Sequence, residues 1–423
     1  MGTETSELSF RAEFSSYSTA FISIGILPMI TIIVPLWCAT ILQMDAWMIG
    51  VAVGARSFLA AIFSIHSGAL LDRLGVRRVM VWCTAISVVL FLLYPLIPDI
   101  SSYLLAQFIL IVLLQLITGF LHTIGWIGCQ TQIGQLTRGS PKHMGRFTSV
   151  SNFSNFFTPI IIGWVWDVGK ASFVGEAWAT FSVIALFNIF LLIAVLAMPV
   201  PQSVSLPKER PRLRDLWPKL IDYKEAFRLF LIPSVAFVVM ASLFMNGLIQ
   251  VRMSFMPIYM ETVGYEGRII GFVTGFAYLI AGLTALPTEQ AKKYMAPHWI
   301  VIAMIILSVV GNALVPVFES LSGLTMSTIM FGAGVGLGMA YILMLLSRSV
   351  PVSQFGLSVG LRTTGNRFGA TVVPPIAGIA IDMAGGNLGA GFYVMSILFI
   401  FGAAGLAYLA IRSDNIRKTF TEK

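Results

Sequence analysis

Charged residues are few in this 423-residue chain, at 11% against 57% hydrophobic. Soluble domains carry about 25%, so a soluble globular fold is excluded, and the mean hydropathy of +0.87 points to a membrane protein. Cysteine is scarcer still: Cys38, Cys83 and Cys129 lie in separate apolar runs without metal-ligand spacing and read as small packing residues. Of four histidines, the two inside apolar runs, His66 and His122, have no acidic partner. An intramembrane enzyme would lack its catalytic set, and neither metal nor cofactor is expected. No glycine-rich loop ending in Lys and Ser/Thr is present, which argues against ATP drive. The first 18 residues lack a basic n-region and no small-residue cleavage site follows, so the first apolar run reads as an uncleaved membrane helix.

Apolar runs are what the chain has in abundance. Cutting at clusters of charge, Pro and Gly leaves twelve, each of about 20 residues or more and long enough to cross a bilayer as a helix. They fall near 19–42, 46–71, 76–97, 102–133, 147–166, 173–198, 230–260, 268–287, 298–318, 323–347, 363–383 and 388–411. The expected fold class is all-α, with six-helix bundles at 1–198 and 229–423 joined by a cytosolic linker at 199–228. That linker interleaves Pro201, Pro207, Pro211 and Pro218 with basic residues from Lys208 to Arg228. With the N-terminus taken as cytosolic, every Lys and Arg except Arg56, Lys170, Arg252 and Arg268 lies on one face, which is the positive-inside bias. The net charge of +8 is thereby assigned to the bilayer and not to nucleic acid. Both termini are expected in the cytosol, in a plasma membrane or bacterial inner membrane, and the chain is expected to act as a monomer.

One short charged turn separates the second and third runs: Gly68-Ala-Leu-Leu-Asp72-Arg73-Leu-Gly75-Val-Arg77-Arg78. Gly68 lets a neighbouring helix approach, Asp72 can face a helix N-terminus, Gly75 permits a tight turn, and the arginines hold the loop in the cytosol. The pattern resembles the loop between helices 2 and 3 of major facilitator superfamily (MFS) transporters. That resemblance implies twelve helices, alternating access of two halves, and a gate formed by Gly68, Asp72, Arg73, Gly75, Arg77 and Arg78 against helix 11, where Arg362 and Arg367 stand. Two departures weaken proton-driven drug export: Gln115 stands where a family pattern has a proton-linked arginine, and the fifth run lacks the antiporter's Gly-Pro signature. No carboxylate falls in mid-membrane, since Asp45, Asp99, Asp167, Glu261 and Asp382 all lie near outer ends.

The halves repeat. A shift of 215 places Gly145 on Gly360, Pro159 on Pro374, Gly163 on Gly378 and Asp167 on Asp382, and a shift of 221 places Gly50 on Gly271 and Gly54 on Gly275. A duplicated six-helix unit puts a substrate site near the midplane between halves.

Candidate residues follow from the cost of polarity in a bilayer, about 2.5–3.5 kcal/mol per buried charge. Arg56 and Arg252, facing a shared cavity, would offer bidentate donors to a carboxylate or phosphate; the alternative is that each is structural. The fourth run carries Gln115, Gly119, His122, Trp126 and Gln130 on one helical face. Asn152 and Asn155 lie in the fifth run, and Tyr341 is the repeat partner of Trp126. Buried arginine without buried acid favours a small organic anion as substrate of a secondary transporter, with the coupling ion open. The other reading is an exporter of amphiphilic drug-like compounds, for which 20 methionines offer an adaptable lining.

Overall fold

The computed structural model describes residues 10–137, 141–199, 224, 227–291, 293–350 and 355–421. Among them stand twelve long helices, one for each apolar run: α1 (Phe10–Thr40), α2 (Ala46–Leu74), α3 (Val76–Leu93), α4 (Leu104–Thr137), α5 (Pro141–Lys170) and α6 (Glu176–Ala197) in one bundle. The second bundle holds α7 (Pro233–Thr262), α8 (Gly267–Thr284), α9 (Pro297–Ala313), α10 (Leu321–Ser349), α11 (Phe355–Met383) and α12 (Leu388–Arg412). Ten of the twelve are long and apolar enough to cross a membrane. The other two, α5 and α11, are of spanning length at 30 and 29 residues but carry the polar runs around Asn152 and Arg367. Of the expected linker at 199–228, residues 200–223, 225 and 226 lie outside the described residues.

Helix boundaries differ from those expected where local chemistry outweighs hydropathy. α1 begins nine residues earlier than the apolar run, at Phe10, because its polar start turns hydroxyls onto its own backbone: Ser15 Oγ donates to the Ala12 carbonyl and Thr19 Oγ1 to the Ser15 carbonyl. α5 begins at Pro141, a residue that costs nothing in a helix's first turn because that N–H has no partner anyway. α3 and α9 end early, each passing into a 3-10 turn built on a proline, Pro95 and Pro316. Those prolines differ by 221, one of the repeat shifts read from the sequence. The basic C-terminal tail continues as a helix, Asp414–Thr421, whose Ile416 and Phe420 are buried. Asn415 Oδ1 accepts the Ser234 N–H at 3.1 Å, capping the start of α7.

The bundles fill their interiors differently. In the first, Trp37, Tyr94 and Phe181 meet edge-on and stacked, with ring centroids 4.7–6.4 Å apart. In the second, a buried arginine takes up the interior of the helix cluster α7, α9 and α10. The three cysteines are buried and unbonded to one another, as packing residues would be.

Two helix pairs form the most extensive seams between the bundles, α2 with α11 and α5 with α8, and α1 also packs on α7. At each, glycines bring backbone against backbone: a Cβ on Gly50 would meet the Pro374 carbonyl, on Gly54 the Thr371 carbonyl, and on Gly378 the Ala46 carbonyl. Across the other pair, Gly163 meets Gly267, Gly271 meets Pro159 and Gly275 meets Phe156. The two seams are copies of one another, and each joins residues related by the 215 shift to residues related by the 221 shift. All these contacts lie in the half of the molecule away from the termini.

Candidate functional site

The seams end, away from the termini, in matched carboxylate caps. Asp167 at the end of α5 accepts from the first N–H groups of α8, Gly267 at 2.6 Å and Arg268 at 2.8 Å. Asp382 at the end of α11 accepts from the start of α2, Ala46 at 3.0 Å and Trp47 at 2.7 Å. Each is a carboxylate of one bundle placed on the helix N-terminus of the other, where orphan N–H groups and the helix dipole favour negative charge. Lys170 and Glu261 add an ion pair between α5 and α7 at the same end. Sequence reading had noted Asp167 and Asp382 only as outer-end acids and as repeat partners; the caps required knowing which helix each one meets.

Toward the middle of the molecule the same seam reaches the polar residues. α11 presents Gly378, Pro374 and Thr371 to α2, and the next residue on that face is Arg367. Arg56 of α2 is 6% exposed; its Nη1 donates to Gln115 Oε1 at 3.4 Å, a long bond, and its Nη2 has no partner. Gly119 of α4 lies against the Arg56 backbone, where a side chain would not fit. Arg56, His122 and Arg367 stand within electrostatic range of one another. On α11, Arg362 Nε and Asn366 Oδ1 are also buried without partners. Among the described residues, no ion pair involves Arg56, Arg362 or Arg367.

Arg252 is elsewhere. Its guanidinium turns into the second bundle and is 1% exposed: Nη1 donates to Ser327 Oγ at 3.2 Å and to Asn312 Oδ1 and the Gly311 carbonyl at 3.4 Å, and Nη2 donates to Thr328 Oγ1 at 2.6 Å. The Phe331 ring lies 4.8 Å from it. The shared cavity expected for Arg56 and Arg252 is therefore not what the chain builds, because neutral oxygens on α9 and α10 already saturate the Arg252 donors.

The polar face of α4 divides among several neighbours. Gln115 meets Arg56, Trp126 stacks on Phe147 of α5 at 5.4 Å, and Gln130 is exposed. His122 borders a small cavity of about 20 Å³ with Ser23, Thr84, Ser87 and Asn188, room for about one water. Asn155 is half-buried and Asn152 exposed, while their hydroxyl neighbours are committed to backbone, Ser154 Oγ to the Phe21 carbonyl and Thr158 Oγ1 to the Ser154 carbonyl. Tyr341 is fully buried and donates to the Thr288 carbonyl, which makes it a packing residue of the second bundle.

Of the charged turn, Gly75 does have the positive φ, 85°, that a tight turn asks of glycine. Arg77 donates to the Leu196 carbonyl at the end of α6, and Arg78 is exposed. The side chains of Asp72 and Arg73, and the surroundings of Gly68, lie outside what is described. Near this end a cluster that sequence reading missed ties α1 to α5: Tyr17 Oη lies 2.8 Å from His143 Nδ1, and Glu13 Oε1 lies 3.4 Å from both His143 and Arg146. His143 stands outside the apolar runs of the sequence. The early start of α1 brings Glu13 and Tyr17 to it, on the wall of a groove of about 410 Å³.

Comparison with known proteins agrees with this architecture. The sequence matches the Major Facilitator Superfamily over residues 14–290. No curated protein sequence matches it. The fold is similar to the nucleoside transporter NupG, at 14% identity and TM-score 0.73 over 95% of this chain and 100% of that one. It is similar to a bacterial homolog of the human lysosomal transporter Spinster, at 12% identity and TM-score 0.71 over 99% of each chain. A D-xylose–proton symporter matches at 14% identity and TM-score 0.68 over 93% of this chain and 97% of that one.

Proposed function

The chain belongs to the Major Facilitator Superfamily, and on that premise we propose that it is a secondary transporter of a small organic anion, bound between Arg56 of α2 and Arg367 of α11. One observation supports the reading: Arg56 of one bundle and Arg367 of the other stand within electrostatic range of each other with no ion-pair partner among the described residues, and the Arg56 Nη2 and Arg362 Nε donors are buried without acceptors. Buried donors left open cost about 1–3 kcal/mol each. A carboxylate or phosphate would satisfy them, with the planar geometry that guanidinium forks select. His122, within electrostatic range of both arginines, and Asn366, whose Oδ1 is buried without a partner, would contact the neutral part of the substrate. Arg367, assigned to the gate on sequence grounds, belongs in this reading to the substrate site; Arg252 does not.

Alternating access follows from where the seams are tight. The end with the Asp167 and Asp382 caps is closed by backbone contact, so the substrate site opens toward the termini, and the positive-inside bias puts those termini in the cytosol. An anion bridging Arg56 and Arg367 would draw the bundles together at that end and release the caps at the other. The protein would work as a monomer in the plasma or bacterial inner membrane.

The test is thermal stabilisation of the purified protein by a panel of mono- and dicarboxylates and organophosphates, alongside cationic and neutral drugs. An anion should raise Tm by several degrees in wild type and not in Arg56→Gln or Arg367→Gln, both still folded. Stabilisation by drug-like cations or neutral compounds in wild type and variants alike would remove the anion reading and leave the exporter in its place.

A further inference from the structure

Outside the transport site, the second bundle carries a groove of about 530 Å³ between α9 and α12. Its floor is Ile302 and Ala403, and its sides are Trp299, Ile306, Ile400 and Ala407. The lining is apolar throughout. The eight residues from Ile400 to Ala407 span about 10 Å of helix, enough for a good part of one acyl chain. Small side chains on α12 open the groove, whose lining comes from α9, α12 and Met295 among the described residues.

The end of the groove nearest the termini is basic and aromatic. Lys293 is exposed just ahead of Met295, which forms the groove's lip. Arg412 is exposed five residues beyond Ala407, with its guanidinium 5.6 Å from the Tyr408 ring. Neither Lys293 nor Arg412 belongs to an ion pair among the described residues. Tyr294 and Tyr408, near the start of α9 and the end of α12, are 89% and 63% exposed, as residues of an interfacial aromatic belt would be. We infer that this groove is a binding site for an anionic phospholipid, with an acyl chain along Ala403, Ala404 and Ala407 and the phosphate on Lys293 and Arg412. A neutral lipid would use the groove but leave both cations unanswered, and basic pockets of this kind between membrane helices favour anionic headgroups.

Native mass spectrometry of the detergent-purified protein, titrated with phosphatidylglycerol or phosphatidylcholine of the same acyl chains, tests this. Wild type should hold one phosphatidylglycerol with a preference of roughly thirtyfold, from about 1 kcal/mol for each of two basic groups. The double variant Lys293→Gln/Arg412→Gln should lose the preference and bind the two lipids alike. Ala404→Trp, which fills the groove from its exposed side, should lose both, with Ala404→Leu intermediate. All these side chains are exposed, and an unchanged Tm confirms that folding is intact. Equal binding of the two lipids by wild type, or unchanged phosphatidylglycerol binding in Ala404→Trp, would overturn the inference. So would a dimer that Ala404→Trp converts to monomer without lipid loss, since the groove would then be covered by a second copy.

Discussion

Two arginines lie buried within the membrane-spanning helices, and they solve the same problem in opposite ways. Arg252 is held by Asn312, Ser327, Thr328 and the Gly311 carbonyl, all within its own bundle. Arg56 has one long bond to Gln115 and an unpartnered Nη2, and it looks across the seam to Arg367 of the other bundle. A charge is expensive in a bilayer wherever it sits, so the cost alone does not mark a functional residue. What distinguishes them is whether the protein itself answers the donors. Where it does, the arginine organises a bundle; where it does not, the proposed substrate would supply the missing acceptors.

The sharpest way to break this contrast is to remove Arg252. Arg252→Leu leaves several buried oxygens without donors and a void beside Phe331, and should cost about 3 kcal/mol or more. A Tm fall of many degrees in detergent, with little recovered protein, is the expected outcome; a variant as stable as wild type would mean that the network does not hold the bundle. The same change at the other site should do the reverse. Arg56→Gln or Arg367→Gln should keep the fold while weakening anion binding by about 2–3 kcal/mol, or 30- to 150-fold, measured by uptake into proteoliposomes and by ligand-induced stabilisation.

Smaller effects sharpen the contrast at the closed end. Asp167→Asn and Asp382→Asn each weaken a cap by about 1 kcal/mol, and being copies of one device they should act alike and add. A thiol introduced beside Gly54 should become more reactive from the face away from the termini in the double variant than in either single one. If only one of the two matters, the seams are not equivalent. Least of all should Tyr341→Phe change: one buried hydrogen bond to the Thr288 carbonyl, about 1 kcal/mol, visible in Tm and not in transport. A transport defect there would return Tyr341 to the substrate site.

Those experiments bear on residues that the sequence nominated on equal terms. Arg56 and Arg252 looked alike because both are charges in apolar runs, and a linear pattern carries no record of which helix each one faces. The stripe from Gln115 to Gln130 looked like one surface because helical spacing puts it on one face, yet four neighbours share it. Arg367 read as a gate residue from its place near the end of an apolar run, since nothing in the spacing shows that α11 follows α2 so closely. Glu13 and His143 were missed because hydropathy starts α1 too late, and side-chain-to-backbone bonds start it earlier.

By itself the sequence determined the membrane class, the twelve long helices and the duplication, for physical reasons that are local. A bilayer demands about 20 apolar residues and internally paired backbone, and a repeat is visible as shifted identities. It even contained both sides of the seams: the 215 and 221 shifts are the two faces that meet, Pro159 on Gly271 and Pro374 on Gly50. Only tertiary structure decided that they meet, because a glycine's partner is a backbone carbonyl that has no identity in sequence. It also decided which buried cation is satisfied and which keeps an open donor, since satisfaction depends on the oxygens that packing brings within about 3 Å.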